Sequence, residues 1–158
     1  VGATAGDVWV PVTVDNFTNI GSLSLTFEYD PSVITYTNVF TANTSLASGL
    51  AVSSQAIAGG KRKITIGWWG ITPVTLTPTL GSEIVSLKFT YTSGTSPLTW
   101  NDNGGSCEYS DANYIPLFDL PTEDFYSDGL VAYQLSPVIK AGSVTGSLDG
   151  TVTVPVLT

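Results

Sequence analysis

The sequence predicts an all-β protein, an antiparallel β-sandwich of about nine strands. In several stretches apolar residues alternate with serine and threonine, and turn-forming residues separate these stretches at intervals of roughly ten residues. No window repeats apolar residues three and four positions apart, as an amphipathic helix would. A closed barrel is the alternative architecture. The 158 residues suffice for one domain with a sizeable core.

The first two predicted strands show the alternation most clearly. Residues Val8–Val14 place their valines on one face and Pro11 on the other, which suits an edge strand or a bulge because proline cannot donate a ladder hydrogen bond. Residues Ile20–Tyr29 alternate between two sets. The apolar set is Leu23, Leu25, Phe27 and Tyr29, and the polar set is Ser22, Ser24, Thr26 and Glu28.

The remaining strands follow in order. They are predicted at Val33–Phe40, Leu50–Ile57, Arg62–Gly70, Ser82–Thr92, Pro97–Trp100, Ser106–Ser110 and Phe125–Tyr133. The stretch Ala58–Lys61 contains two adjacent glycines, which supply the positive φ angles of a tight hairpin turn. The stretch Thr72–Gly81 contains two prolines and predicts a crossing loop. Ile84 is out of phase with the apolar residues that follow it, which predicts a bulge.

The composition excludes several classes of function. Charged residues make up 11% of the chain and the net charge is −8, so binding to nucleic acid or to an anionic membrane is disfavoured. The chain has one cysteine and no histidine, which excludes an intrachain disulfide, a zinc site built from Cys and His, and a histidine-activated nucleophile. We therefore expect a protein that is not an enzyme and needs no cofactor, with Cys107 as a buried or half-buried strand residue.

Seven of the thirteen acidic residues fall between Asp102 and Asp128. Three interpretations stay open: a solvated acidic loop, a pair of carboxylates facing each other as in a glycosidase, and a calcium site. The stretch Asn101–Gly105 lacks the alternating ligands and the closing glutamate of an EF-hand loop. The solvated loop is the preferred interpretation.

Trp68 and Trp69 are adjacent on a predicted strand, so they point to opposite faces. If Trp68 and the isoleucines of this strand face the core, then Thr65, Gly67 and Trp69 face outward. An exposed tryptophan beside glycine suits an anchor for a protein partner or a platform for a sugar ring. Alternatively, the crossing loop that follows the strand covers Trp69.

The end of the chain repeats a phrase from its beginning. Five of the seven residues in Gly6–Val12 are identical to those 144 positions later, in Gly150–Val156. This predicts that residues 1–134 form one module and that residues 135–158 hold a linker and the first strand of a following copy. The strand at 150–156 would pair with an open sheet edge of its own module or of a neighbouring one. Chance similarity between valine-rich edge strands is the alternative.

The order of several phrases resembles that of a cohesin module, the non-catalytic receptor of cellulosome scaffoldins. The phrases are GDVWVPV at Gly6–Val12, IGSLSLTFEYDPS at Ile20–Ser32, GSEIVSLKF at Gly81–Phe89, EYSDAN at Glu108–Asn113 and YSDGLV at Tyr126–Val131. The stretches Asn101–Gly105 and Tyr114–Asp124 match no phrase of the family, which leaves the specificity class open.

The resemblance implies a flattened nine-stranded sandwich of jelly-roll topology that binds a dockerin domain. Calcium would belong to the EF-hand-like loops of the dockerin and not to this module. Cohesins commonly occur as tandem copies in one scaffoldin, which agrees with the repeated strand. The implied protein is extracellular or at the cell surface, and it anchors dockerin-bearing enzymes or scaffoldins.

In the family, one sheet face made by the third, fifth, sixth and eighth strands binds the partner. Counted along the strands predicted above, the candidates are Thr35, Thr37 and Asn38 on the third, Thr65, Gly67 and Trp69 on the fifth, and Glu108 and Ser110 on the eighth. Two other functions are alternatives. A carbohydrate-binding module would need coplanar exposed aromatics, and a structural or adhesive repeat would have no dedicated ligand.

Overall fold

In the computed structural model, residues 2–3, 5–76, 81–103, 105–134, 140–141 and 156–157 are described. Short 3₁₀ turns lie at Ala58–Gly60 and Thr122–Asp124. The strands in the described ranges are β1 (Gly2–Ala3), β2 (Gly6–Val14), β3 (Ile20–Tyr29), β4 (Ile34–Ala42), β5 (Ala51–Ala56), β6 (Arg62–Val74), β7 (Ser82–Tyr91), β8 (Thr95–Trp100), β9 (Glu108–Asp111), β10 (Gly129–Tyr133), β11 (Lys140–Ala141) and β12 (Val156–Leu157).

Strands β1 to β10 form two sheets around one core. The larger sheet has the order β1-β10-β8-β3-β6-β5, and β9 also pairs with β3 beside β8. The smaller sheet has the order β2-β7-β4. All pairs are antiparallel except β1 with β10. The predicted antiparallel sandwich is therefore confirmed, and the barrel alternative is wrong.

The core consists of alternate residues from both sheets, as the period-two pattern requires. Its fully buried members include Leu25, Phe27 and Tyr29 of β3, Ile64 and Ile66 of β6, and Leu87 and Phe89 of β7. Tyr29 of the larger sheet and Phe89 of the smaller one meet edge to face, with their ring centroids 5.3 Å apart. This contact joins the two layers at the centre of the sandwich.

The edge strand β2 follows its predicted pattern. Its valines Val8, Val10 and Val12 are buried and Pro11 is exposed. Its partner β7 carries the predicted bulge, because Val12 pairs with Val85 whereas Thr13 pairs with Glu83, which leaves Ile84 between them. Ile84 and Val85 are therefore buried together.

Three segments differ most from the predicted strands. β6 continues to Val74 instead of ending at Gly70, because its pairing with β3 jumps from Trp69 to Val74 across a bulge. β10 begins at Gly129 instead of Phe125, since the Phe125 N–H donates to the Thr122 carbonyl at 3.0 Å and closes a turn. β1 was not predicted, because two residues are too short to show an alternation.

Only Val156 of the predicted tail strand is among the described residues. It belongs to β12 and pairs antiparallel with Ala141, while Leu157 pairs with Lys140. Residues 150–155 lie outside the described residues. The boundary predicted after residue 134 is therefore still an expectation.

Replacing Ile66 tests the assignment of the two faces of β6. Ile66 is fully buried, so Ile66→Ala is expected to lower the free energy of unfolding by about 2–5 kcal/mol. The matched change Thr65→Ala, on the other face of the same strand, is expected to cost less than about 1 kcal/mol. Urea unfolding of both variants measures the difference. Equal losses would contradict the assignment.

Candidate functional site

The larger sheet presents a broad polar face on the side away from the core, which we call the outer face. It arises because the alternate residues of these strands are apolar and buried. The outer face is made of Ser22, Ser24, Thr26 and Glu28 of β3, Ala51, Ser53 and Gln55 of β5, Lys63, Thr65, Gly67 and Trp69 of β6, and Glu108 and Ser110 of β9.

The strand register places small side chains across the middle of the outer face. Gly67 lies between Ala51 of β5 and Ser24 of β3, and Ser24 in turn pairs with Glu108 of β9. A Cβ built on Gly67 would meet no heavy atom within 4 Å. The sheet itself therefore does not require glycine at this position, and the space above it is open to a partner.

A hydroxyl row lies next to Gly67. The Oγ1 atoms of Thr26 and Thr65 are 3.3 Å apart, within hydrogen-bonding distance. Ser53 of β5 pairs with Thr65 and is exposed. Thr26 is buried, so the accessible hydroxyls of this row are those of Thr65 and Ser53. Because hydroxyls both donate and accept, they can bond to a partner without a charge to desolvate.

Trp69 projects from one end of the outer face. It is 62% exposed, whereas its neighbour Trp68 is buried and donates its indole N–H to the Ser48 carbonyl at 3.1 Å. The outward prediction for Trp69 is confirmed, and the alternative that the following segment covers it is wrong. The reason is that the following residues bulge away from the sheet, so that Ile71 is 90% exposed.

Tyr114 lies beside this bulge. Its hydroxyl donates to the Gly70 carbonyl at 2.8 Å, and its ring is half exposed. Trp69, Ile71 and Tyr114 form what we call the aromatic corner. The partner-binding residues predicted from the sequence include neither Ile71 nor Tyr114, since the contact joins positions 44 residues apart and no local pattern signals it.

Asp111 holds the turn that carries Tyr114. Its Oδ1 atom accepts the N–H groups of Asn113 at 2.8 Å and Ile115 at 2.9 Å. These bonds stabilise the carboxylate and hold the pKa of Asp111 below its usual value. Tyr114 adopts a φ of 59°, which is uncommon for a residue with a side chain. The hydrogen bonds to Asp111 on both sides of Tyr114 hold the backbone in this conformation.

The charges at the opposite end of the outer face are partly neutralised. Glu28 accepts from the Lys61 ammonium at 3.4 Å and from the Asn101 side-chain amide at 2.9 Å. Lys61 is exposed, so this ion pair contributes little to stability. The outer face thus combines a hydroxyl-rich centre, an apolar corner and a weakly charged far end.

Cys107 lies directly before β9, outside the strand although it was predicted within one. Its Sγ atom accepts the N–H of Thr26 and donates to the carbonyl of Thr26, both at 3.4 Å. It thereby fills the gap on β3 between the residues paired with β8 and those paired with β9. The burial prediction for Cys107 is confirmed, and burial raises the pKa of its thiol, which disfavours the nucleophilic thiolate.

The acidic segment is tied to its surroundings. The Asp102 carboxylate accepts a hydrogen bond from the Thr122 hydroxyl at 2.8 Å, and the Asp119 carboxylate accepts one from the Tyr126 hydroxyl at 2.7 Å. The Asp128 carboxylate accepts a hydrogen bond from the backbone N–H of Trp100 at 2.9 Å. Across the described ranges, no three Cys, Asp or Glu side chains come together in a group able to hold a metal ion. In the same ranges no helix has the length and apolarity to cross a membrane.

Comparisons with solved structures show which known fold this architecture matches. No protein-family model matches the sequence, and no curated protein matches it. Among solved structures, the cohesin CaCohA2 from Clostridium acetobutylicum is 23% identical with a TM-score of 0.62, and the match covers 84% of this chain and 85% of that one. A type I cohesin–dockerin complex from Clostridium thermocellum matches at 16% identity and a TM-score of 0.60, over 83% of this chain and 86% of that one.

A third structure is a type II cohesin domain from the cellulosome of Acetivibrio cellulolyticus. It is 19% identical with a TM-score of 0.55, and the match covers 82% of this chain and 88% of that one. The chain has the cohesin fold. The resemblance inferred from the sequence phrases is therefore confirmed at the level of architecture.

The cohesin fold corrects one group of predicted site residues. Thr35, Thr37 and Asn38 lie on β4, which pairs with β7 in the smaller sheet, and not on the outer face. Thr35 is exposed there, and the Thr37 hydroxyl donates to the Lys88 carbonyl at 2.9 Å. Asn38 lies in a bulge with a φ of 60°.

The cause of this error is the short strand β1. When β1 is counted, the third, fifth, sixth and eighth strands are β3, β5, β6 and β8, whereas the prediction had placed them at β4, β6, β7 and β9. Each of the four assignments therefore shifts by one strand. β3, β5, β6 and β8 lie in one sheet, with β9 beside β8. Thr65, Gly67, Trp69 and Glu108 lie on the outer face of that sheet, as does Ser110.

Ser110 differs from its prediction in exposure. It was expected to be available to a partner but is only 5% exposed. The chain folds back after β9, and Pro116 forms a bridge with Ser110 while the Leu117 N–H donates to the Tyr109 carbonyl. Ser110 therefore supports the outer face from within the sheet.

Removing the Asp111 carboxylate tests how the aromatic corner is held. In Asp111→Ala the amides of Asn113 and Ile115 lose their acceptor, so their hydrogen exchange is expected to accelerate. In the wild type, the lowered pKa means that protection is complete above the unfolded pKa of about 3.9 and is lost as the pH falls through the lower folded value. Asn113→Ala keeps the Asn113 backbone N–H and serves as the control. Unchanged exchange in Asp111→Ala would contradict this role.

Proposed function

We propose that this module is a non-catalytic receptor that binds a dockerin domain through the outer face of β3, β5, β6 and β9. The observation that carries the proposal is the exposed Trp69 beside the open space above Gly67, on the sheet where the cohesin fold brings these strands together. Support comes from the structural neighbours, several of which were solved as cohesin–dockerin complexes.

The chemistry of the outer face suits a protein partner. A tryptophan surrounded by hydroxyl groups gives an apolar anchor with hydrogen bonds at its rim, which is the usual arrangement of an interface hot spot. Gly67 leaves a shallow depression next to Trp69 into which a partner side chain fits. Thr65, Ser24 and Ser53 would supply hydrogen bonds, and Glu108 would face basic groups of the partner.

The wider setting belongs to the same proposal. The dockerin supplies its own calcium, and this module contributes no metal ligands. The chain comes from a secreted scaffold, and residues 135–158 contain the start of a following copy of the module. The module would then anchor dockerin-bearing enzymes or scaffoldins outside the cell.

The carbohydrate-binding alternative is not favoured. A sugar platform needs a row of coplanar exposed aromatic rings, whereas Trp9 lies on β2 of the smaller sheet and Trp69 on the larger one. Trp100 and Tyr126 pack against each other with ring centroids 6.2 Å apart.

Filling the space above Gly67 tests the binding surface. Gly67→Arg has room for its side chain within the fold, so the melting temperature should change little, but the arginine would block the centre of the outer face. Dockerin affinity, measured by isothermal titration calorimetry, is expected to fall at least about tenfold, and Trp69→Ala is expected to lose about 2 kcal/mol or more. Thr35→Arg, exposed on β4, is the matched control and should bind normally.

The opposite pattern would contradict the proposed surface. If Thr35→Arg weakened binding while Gly67→Arg and Trp69→Ala did not, the partner would bind the smaller sheet. If the wild type bound no dockerin from its source organism, the receptor function itself would be wrong.

Removing calcium separates the two partners. A chelator is expected to abolish the complex, because the dockerin loops need calcium to fold. The melting temperature of this module alone should not change. A module that is itself destabilised by the chelator would contradict the assignment of calcium to the dockerin.

A further inference from the structure

A second feature of the molecule is a groove of about 770 Å³ beside β2. One wall is formed by Val10, Val12 and Val14 of β2 together with Phe17, and the other by the segment that contains Leu117, Phe118 and Phe125. Phe118 is 77% exposed, and Leu117 and Phe125 are also exposed at the rim. Most of the lining residues are apolar, and the carboxylates of Asp15, Asp119 and Asp124 also line the groove. A mostly apolar groove with exposed apolar side chains at its rim is suited to a ligand that covers it.

The groove runs along the edge of β2. Within the described residues, β2 pairs only with β7. Pro11 has no N–H, so we place it among the residues of β2 whose backbone N–H and C=O positions point away from β7. These positions alternate along a strand, so the backbone groups of Trp9 and Thr13 also point away from β7. Backbone donors and acceptors beside an apolar groove are the features that bind an extended peptide as an added strand.

The repeat in the sequence identifies the peptide. Val156 corresponds to Val12 in the repeated phrase, and Leu157 corresponds to Thr13. Val156 and Leu157 pair antiparallel with Ala141 and Lys140. Val156 and Leu157, which correspond to Val12 and Thr13, thus have partner residues on β11, whereas Val12 and Thr13 pair only with β7 among the described residues.

We propose that the groove binds residues 137–143 of a second copy of this chain, as a strand antiparallel to β2. In this pairing Ala141 lies opposite Val12 and Lys140 lies opposite Thr13. By the alternation of a strand, Ile139 and Ala141 would then lie on the same face as Val12 and Val14, which line the groove. Val138 and Lys140 would lie on the opposite face, with the exposed Thr13.

The chain's own segment reaches this position poorly. Tyr133 pairs with Ala3, three residues before β2 begins, whereas Lys140 must reach Thr13 near the far end of β2. The seven residues from Tyr133 to Lys140 span at most about 24 Å, and the distance along β2 from Gly6 to Thr13 is about 23 Å. Almost no chain is left for the reversal that an antiparallel pairing needs, which favours a second copy.

The change of backbone partners also favours binding of this segment in the groove. Lys140 and Ala141 leave the backbone partners Val156 and Leu157 and gain the equivalent partners Val12 and Thr13, so the backbone hydrogen bonds balance. In addition, Ile139 enters an apolar groove lined by buried residues. Reciprocal exchange between two chains gives a closed two-fold dimer. The inference does not depend on dockerin binding, since β2 lies in the sheet opposite the outer face.

Sedimentation velocity of the full chain over a wide concentration range tests the proposal. A monomer–dimer equilibrium is expected, and a free peptide with the sequence of residues 137–146 should convert the dimer to a monomer. Ile139→Asp is expected to weaken the dimer at least about tenfold, because a carboxylate would enter the apolar groove. Val138→Asp places the same charge on the solvent side and is the matched control.

The peptide also carries a backbone control. An N-methyl group on Lys140 would block the N–H that faces Thr13, whereas one on Ala141 would point away from β2. Only the first modification should abolish competition by the peptide. A chain that stays monomeric at every concentration, or a dimer that responds neither to the peptide nor to Ile139→Asp, would overturn the proposal.

Discussion

The alternation of β3 is the constraint on which the rest of the structure depends. Leu23, Leu25 and Phe27 point into the core, and Ser22, Ser24 and Thr26 point outward from the same strand. β3 pairs with β6 on one side and with β8 and β9 on the other, so its register fixes three neighbours at once. A shift by one residue would bury the serines and expose the leucines. The core and the outer face are therefore two results of one pattern.

Two local features modify this pattern on the outer face. Cys107 bonds to both backbone groups of Thr26 and thereby lets β8 and β9 share one edge of β3. The bulge in β6 after Trp69 ends regular pairing, and the Asp111 turn places Tyr114 against Gly70. The bulge and the Asp111 turn together form the aromatic corner at the end of the hydroxyl-rich sheet. The features that interrupt the regular sheet are thus the ones that give the surface its anchor.

The sequence predicted the regular parts of the molecule well. Alternation identified β3 with its correct bounds, the bulge at Ile84, and the outward direction of Trp69, because each follows from a pattern of two residues. Where alternation was absent the prediction failed. β1 is too short to show a pattern, and its omission assigned Thr35 to the larger sheet although β4 belongs to the smaller one. The aromatic corner depends on a contact between distant segments, which no local pattern contains.

Mapping the bound dockerin on the module tests the central claim most directly. Amide chemical-shift changes on titration of the labelled module with an unlabelled calcium-loaded dockerin report which sheet is covered. The largest changes are expected along β3, β5, β6 and β9, centred on Gly67 and Trp69. Changes confined to β2, β4 and β7 would contradict the account, because the hydroxyl-rich outer face of β3 would then have no part in binding.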